Sequence, residues 1–202
     1  MSEEPEPKRT KATCQPKPGK GTRVIRTKTN RCIPSAFKSA GEVVNDDYFT
    51  PKHIWEQLVP LLPKDVVYWE SFYSRESKGS SGQYLRELGL NVIHEDIDFF
   101  LHNKGDIIIS NPPFSLKGQV LDRLWELQKP WIMILGSNFL ASVAIKRFRH
   151  KMSVIVPKRR IQFLDKTMRQ TDGATFDCFF FCWNVPGLIG EKHMEILAKD
   201  GE

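Results

Sequence analysis

Asn111-Pro112-Pro113-Phe114 is the stretch of the chain best suited to chemistry. A proline disfavours helical geometry in the residue before it, so Asn111 is pushed into extended backbone. The two prolines fix the φ angles that follow and bring no N–H, leaving carbonyl oxygens that no helix or strand uses. Phe114 adds a flat apolar face. Rigid acceptors beside an aromatic suit a planar ring with an exocyclic amino group. The Asn111 side-chain oxygen and the Pro112 carbonyl can accept its two hydrogens while Phe114 stacks on the ring. The same residues also occur in ordinary turns. Their place here, directly after the β-branched run Asp106-Ile107-Ile108-Ile109-Ser110, favours a site at the end of a strand buried on both faces.

Other polar groups are less specific. Glu70 follows the apolar strand Val66-Val67-Tyr68-Trp69, either as a ligand group or as a loop acid capping the next helix. Glu95-Asp96-Ile97-Asp98 follows the strand candidate Asn91-Val92-Ile93-His94. His53 and His94 read equally well as structural residues, and no strong base is required. Lys158-Arg159-Arg160 is either a phosphate contact or a solvated charged face. Cys178 and Cys182 share one face of a strand and read as buried thiols; no metal site is expected.

These residues need a frame. Thr50 can cap a helix with Pro51 in its first position, and Ile54, Trp55, Leu58 and Val59 follow at helical spacing until Pro60 and Pro63. Gln83 to Leu88 reads as a helical turn stopped by Gly89. Ser115 reads as the cap of a helix whose apolar face is Val120, Leu121, Leu124 and Leu127. Trp131-Ile132-Met133-Ile134-Leu135 is a buried strand, followed by a helix over 138–148. Val154–Val156, Arg160–Phe163 and Phe176–Trp183 read as strands without long helices between them. This order predicts an α/β, Rossmann-like fold. It has a mostly parallel sheet, helices on both faces and an antiparallel C-terminal strand pair. Ligands bind such sheets beyond the carboxyl ends of the strands, where the loops after Trp69, His94 and Ser110 emerge.

With these motifs in place, the chain resembles the class I S-adenosylmethionine-dependent amino methyltransferases. These act on the exocyclic nitrogen of adenine, and sometimes cytosine, through an Asn/Asp-Pro-Pro-aromatic motif. The resemblance covers about residues 46–184 and implies that Asn111, Pro112, Pro113 and Phe114 form the catalytic motif. Tyr48-Phe49-Thr50-Pro51 resembles a segment that packs on the methionine end of the cofactor. Glu70 and Phe72 resemble the acidic-x-Phe opening of the cofactor loop. Ser71 and Ser74 replace its usual proline and first glycine, and Gly79 and Gly82 come late. Asp96 resembles the ribose-binding acid, with Glu95 and Asp98 as alternatives, and Asp98-Phe99 resembles the pair beside the cofactor's adenine. Arg160-Ile161-Gln162-Phe163 resembles an element of phage-type adenine methyltransferases and brings Phe163, with Lys158 and Arg159, into the nucleic-acid contacts. The resemblance implies S-adenosyl-L-methionine as cofactor, DNA or RNA as partner and direct methyl transfer. Guanine-N2 RNA methyltransferases and protein-glutamine methyltransferases use similar motifs. A binding subunit with a degenerate cofactor loop is a further alternative.

The 202 residues suit one globular domain, and 40% hydrophobic residues exclude wholesale disorder. The formal net charge of +6 is unevenly placed. Residues 1–40 hold ten Lys or Arg and three acids, whereas the remainder holds twenty basic and twenty-one acidic residues. This predicts a basic, largely disordered tail over 1–44, a methyltransferase domain over 45–190 and a C-terminal tail over 191–202. The tail reads as an arm that tracks phosphates, or as a solubilising or targeting leader. No apolar run is long enough to span a membrane and no secretory signal opens the chain, so an intracellular, cytoplasmic or nuclear protein is expected.

Overall fold

The computed structural model describes residues 48–74, 80–170 and 177–188, and, by backbone alone, strands at 24–26, 32–34 and 194–196. The centre of its main sheet is β5 (Ile107–Ser110), all four residues of which are buried. Three consecutive isoleucines suit this place, because β-branched side chains pack well on a pleated surface covered from both sides. On one side β5 pairs in parallel with β3 (Val67–Glu70), which pairs in parallel with β4 (Asn91–Ile93). On the other side it pairs in parallel with β6 (Trp131–Gly136). β8 (Cys178–Trp183) then runs antiparallel between β6 and β7 (Met152–Val156). β9 (Met194–Ile196) completes the seven-stranded order β4-β3-β5-β6-β8-β7-β9 by pairing in parallel with β7. β1 (Val24–Arg26) and β2 (Cys32–Pro34) form a separate antiparallel pair. The molecule is thus a Rossmann-like α/β fold with antiparallel C-terminal strands.

The two-residue period of a strand sorts neighbouring side chains onto opposite faces. Tyr68, Ile107, Ile109, Ile132, Ile134, Phe180 and Cys182 face one layer, where α1 (Lys52–Leu58) and α2 (Ser80–Glu87) bring Ile54, Trp55, Leu58 and Leu85. Trp69, Ile108, Trp131, Met133, Leu135 and Phe181 face the other, packed by Val120, Leu121 and Leu124 of α3 (Lys117–Leu127) and by Phe148 of α4 (Ile145–Phe148). Cys178 and Cys182 share the first face, as their spacing predicts. Before β5, Gly105 adopts φ +57, and a Cβ there would stand 2.8 Å from the Val67 carbonyl. That close approach lets the Asp106 amide donate to the Val67 oxygen at 2.7 Å while the Val67 amide donates to Asp106 Oδ2 at 2.8 Å. Among the described residues no helix is long and apolar enough to cross a membrane.

Several local expectations differ from the structure. Pro51 itself is the residue before α1, and the Thr50 hydroxyl caps nothing. Ser115 lies within a 3-10 turn, Phe114–Leu116, and α3 starts two residues later without a side-chain cap. The single helix expected over 138–148 is a 3-10 turn, Ser137–Ala141, followed by α4. Ser142 divides them with extended backbone and a hydroxyl that donates to the Phe139 carbonyl at 2.8 Å. Arg160–Phe163 is not a strand, because its backbone has no ladder partner until the single bridge between Phe49 and Leu164. Met194–Ile196 lies in the range read as a C-terminal tail, yet its backbone pairs with the sheet.

Candidate active site at the carboxyl ends of the strands

The strand order changes direction between β3 and β5, because the chain builds leftwards to β4 after β3 and rightwards to β6 after β5. Sheets of this kind open a crevice at that place. A single side chain spans it here. Glu70, the last residue of β3, is 2% exposed, and its Oε1 accepts from the Ser110 hydroxyl of β5 at 2.5 Å. On the other flank stands His94, the residue after β4. Its Nδ1 lies against Glu70 Oε2 and also 2.9 Å from the Glu70 main-chain oxygen. Both neighbours are acceptors, so the Nδ1 proton is fixed there. Burial opposes charge on this imidazole, but the Glu70 carboxylate outweighs it through its charge and hydrogen bonding, and His94 titrates above the ordinary 6.5. The ring has no room to turn: a Cβ on Gly82 of α2 would stand 2.4 Å from its carbon atoms. Gly82 therefore acts as a seat for His94.

Asn111 extends directly from β5. Its Nδ2 donates to the Tyr48 carbonyl at 2.9 Å, which fixes the amide orientation and leaves Oδ1 buried without a hydrogen-bond partner. Pro112 and Pro113 are buried, and Phe114 stands at the rim. Three rings meet there: Phe114 lies 6.1 Å from Tyr48 and 6.0 Å from Phe163, in edge-to-face arrangements, and Tyr48 lies 6.0 Å from Phe163.

Tyr48, Phe49, Thr50, Glu70, Phe72, His94 and Asn111 line one cleft, together with Ser74 and Ser81. Its polar atoms are the informative part. Thr50 Oγ1, His94 Nε2 and Asn111 Oδ1 are all buried and lack hydrogen-bond partners. One such group left unsatisfied costs about 1–3 kcal/mol. Three in one cleft, open to the same space, make it the candidate site for a polar ligand. The cleft is narrow, about 20 Å³ among the described residues.

Thr50, Glu70, Phe72 and Asn111, all read from the sequence, therefore meet here, with Pro51, Pro112, Pro113 and Phe114 adjoining in the chain. Gly82 joins them through His94. Asp96 is exposed, and Asp98 Oδ1 accepts from the Phe100 amide at 2.8 Å; neither lines the cleft. Phe99 is a core residue, 5.6 Å from Trp69 and 4.9 Å from Phe72. Gly79 lies outside the described residues. Phe163 requires a correction: it is fully buried, so its role is to support Phe114 and Tyr48 rather than to touch a nucleic acid. Lys158, Arg159 and Arg160 line a separate groove of about 400 Å³ with His53, Glu56 and Gln57 of α1. The Lys158 amide donates to Gln57 Oε1 at 2.9 Å, and Arg160 pairs with Asp177 at 3.1 Å. The paired hydrogen bonds between Phe49 and Leu164, both 2.8 Å, join this segment to the mouth of the cleft. Sequence reasoning undervalued His94 and Ser110; the one available signal was a polar residue at the end of each strand.

No protein-family model matches the chain, and no curated protein does. Solved structures that match include precorrin-6y C5,15-methyltransferase from Geobacter metallireducens GS-15. It is 13% identical over 70% of this chain and 97% of that one, with a TM-score of 0.35. A superposition that loose adds no weight to a functional assignment, which rests on the residues themselves.

Proposed function

We propose that the chain is an S-adenosylmethionine-dependent methyltransferase acting on the exocyclic amino group of adenine in nucleic acid. The observation that carries this reading is Asn111 Oδ1, a buried acceptor without a partner, held in a fixed direction beside an aromatic rim. An amino group on a flat base supplies the hydrogen such an acceptor lacks. Thr50, Phe72 and His94 are the residues that would hold the cofactor, with Glu70 behind His94, and the unpartnered Thr50 Oγ1 and His94 Nε2 suit a ligand rich in hydroxyl and amino groups. When bound, the cofactor supplies an electrophilic methyl group on a sulfonium.

The chain's own work is to make the amino nitrogen reactive. Its lone pair is delocalised into the ring, which makes it a poor nucleophile. Asn111 Oδ1 accepting one amino hydrogen, with the Pro112 carbonyl taking the other, favours a tetrahedral nitrogen and stabilises the positive charge that develops there. Phe114, backed by Tyr48 and Phe163, holds the ring in plane, and the rate gain from this fixed placement is one of orientation. The groove lined by Lys158, Arg159 and Arg160 would take the phosphate backbone. A base in a duplex must first be flipped out; one in a single strand need not be.

The test is nucleoside mass spectrometry after incubation of the protein with mixed DNA and RNA and labelled cofactor. Labelled N6-methyladenine that disappears with Asn111→Ala supports the reading. Labelled N2-methylguanine would transfer the same site to guanine. Nucleic-acid binding without any label would make the chain a binding subunit.

A further inference from the structure

We propose that His94 Nε2 takes a sugar hydroxyl of the cofactor's nucleoside, with Glu70 behind it as the positioning residue. This rests on the methyltransferase reading above and adds to it the atom that selects the cofactor's sugar. In Rossmann-type sheets the strand next to the first βα unit ends in an acid, about 20 residues on, that bonds the ribose hydroxyls. Here the side chain in that place is an imidazole, 24 residues beyond Glu70 in the chain, and the carboxylate has moved behind it. The acids that follow do not line the cleft: Glu95 and Asp96 are exposed residues outside its lining, and Asp98 closes the turn to Phe100.

Three observations define the atom. Glu70 occupies Nδ1 completely, so Nε2 is the ring's one remaining polar atom. Gly82 and the Tyr73 ring, 4.9 Å away, leave the imidazole a single orientation. Nε2 is buried, without a partner, on a residue that lines the cleft. A hydroxyl both donates and accepts, so it satisfies Nε2 in either protonation state. The alternative role, a base for the amino proton at Asn111, is disfavoured by placement. β4 and β5 flank β3, and the register sets Asn111 two residues further along than His94, so strand spacing and rise together put their Cα atoms about 12 Å apart. That span leaves room for the sulfonium end of the same cofactor to face an amino group held at Asn111.

The experiment is calorimetry with S-adenosylhomocysteine and its 2′-deoxy and 3′-deoxy analogues, on the wild type and on His94→Phe and His94→Gln. The wild type is expected to bind one deoxy analogue about 10- to 100-fold more weakly than the parent. His94→Phe should bind the parent and that analogue equally. If neither analogue loses affinity on the wild type, the proposal is overturned, whether or not either variant folds. It is also overturned if His94→Phe weakens parent and analogues by one common factor, since that describes a structural residue. Failure of this kind leaves the methyltransferase reading intact provided S-adenosylhomocysteine binds and Asn111→Ala abolishes transfer. A wild type that binds no S-adenosylhomocysteine and transfers no methyl overturns both.

Discussion

Asn111 and Tyr48 stand 63 residues apart in the chain, yet the amide of one donates to the carbonyl of the other at 2.9 Å. A main-chain carbonyl can only accept, so this contact decides which end of the asparagine faces the cleft. Removing the side chain removes the acceptor without touching the sheet. Asn111→Ala is expected to lower methyl transfer by about 10²- to 10³-fold, comparable to the loss of one charge-stabilising group at a reacting centre. Its unfolding free energy should change by about 1 kcal/mol, the worth of one hydrogen bond. Single-turnover transfer and urea titration measure the two quantities.

Gly82→Ala inverts the usual rule for helices. In a helix interior, alanine normally gains about 0.5–1 kcal/mol over glycine. Here the added Cβ would stand 2.4 Å from the His94 ring, which Glu70 prevents from moving aside. Overpacking of this kind costs about 1–3 kcal/mol, so the variant should be destabilised, with a lower urea midpoint than the wild type.

His94 links stability to pH. Its folded-state titration lies above the ordinary 6.5, because Glu70 outweighs the burial that disfavours the charge. A group raised in this way contributes stability that is fully present below its unfolded pKa and is lost as pH rises through the folded one. The wild type should therefore lose unfolding free energy from about pH 6.5 upwards. His94→Gln should lack that decline. Urea titrations at stepped pH compare the two.

The two buried cysteines should be inert. Burial, helped by the nearby Asp177, pushes the Cys178 thiol up to about 12, and burial raises Cys182 as well. The thiolate is the reactive form, so both should resist alkylation at pH 8 in the folded protein and react on unfolding. Mass spectrometry of iodoacetamide-treated protein, with Cys14 and Cys32 replaced by serine, reads this directly.

The basic segments make a salt prediction. Arg159→Ala should weaken nucleic-acid binding and reduce the slope of log affinity against log salt by about 1, the signature of one lost phosphate contact. Deleting residues 1–40, with their ten basic side chains, should flatten the slope further. Fluorescence anisotropy over a salt series distinguishes these outcomes from a solubilising leader, which would leave the slope unchanged.

Much of this frame was legible in the residues. Ile107-Ile108-Ile109 and Trp131-Ile132-Met133-Ile134-Leu135 announce buried strands by composition, and Asn-Pro-Pro-Phe marks the place where one of them ends. Arg160-Ile161-Gln162-Phe163 misled for a physical reason. Ile161 and Phe163 are buried while Arg160 and Gln162 are exposed, so the segment alternates like a strand although no neighbour pairs with it. The resemblance points to carboxylates, Asp96 and Asp98, whereas the residue after β4 that lines the cleft is His94. The contact of His94 with Glu70 depends on the register of β3 against β4, which aligns Trp69 with Ile93 and brings the two next residues together. Register is a property of two strands at once, and no single stretch of sequence displays it.

The position of β8 has a consequence for how the molecule is made. It fills the gap between β6 and β7, although it follows both in the chain. Until Cys178–Trp183 has left the ribosome, β6 has an open edge six residues long, formed by Trp131–Gly136 with every residue destined for the interior. β7 meanwhile lacks the antiparallel partner that joins it to the rest of the sheet. An apolar edge of that length is a template for pairing with another chain. Nascent or truncated forms ending before Cys178 are thus the ones that need chaperone protection, and full-length chains should recover from denaturant with far less precipitation than such fragments.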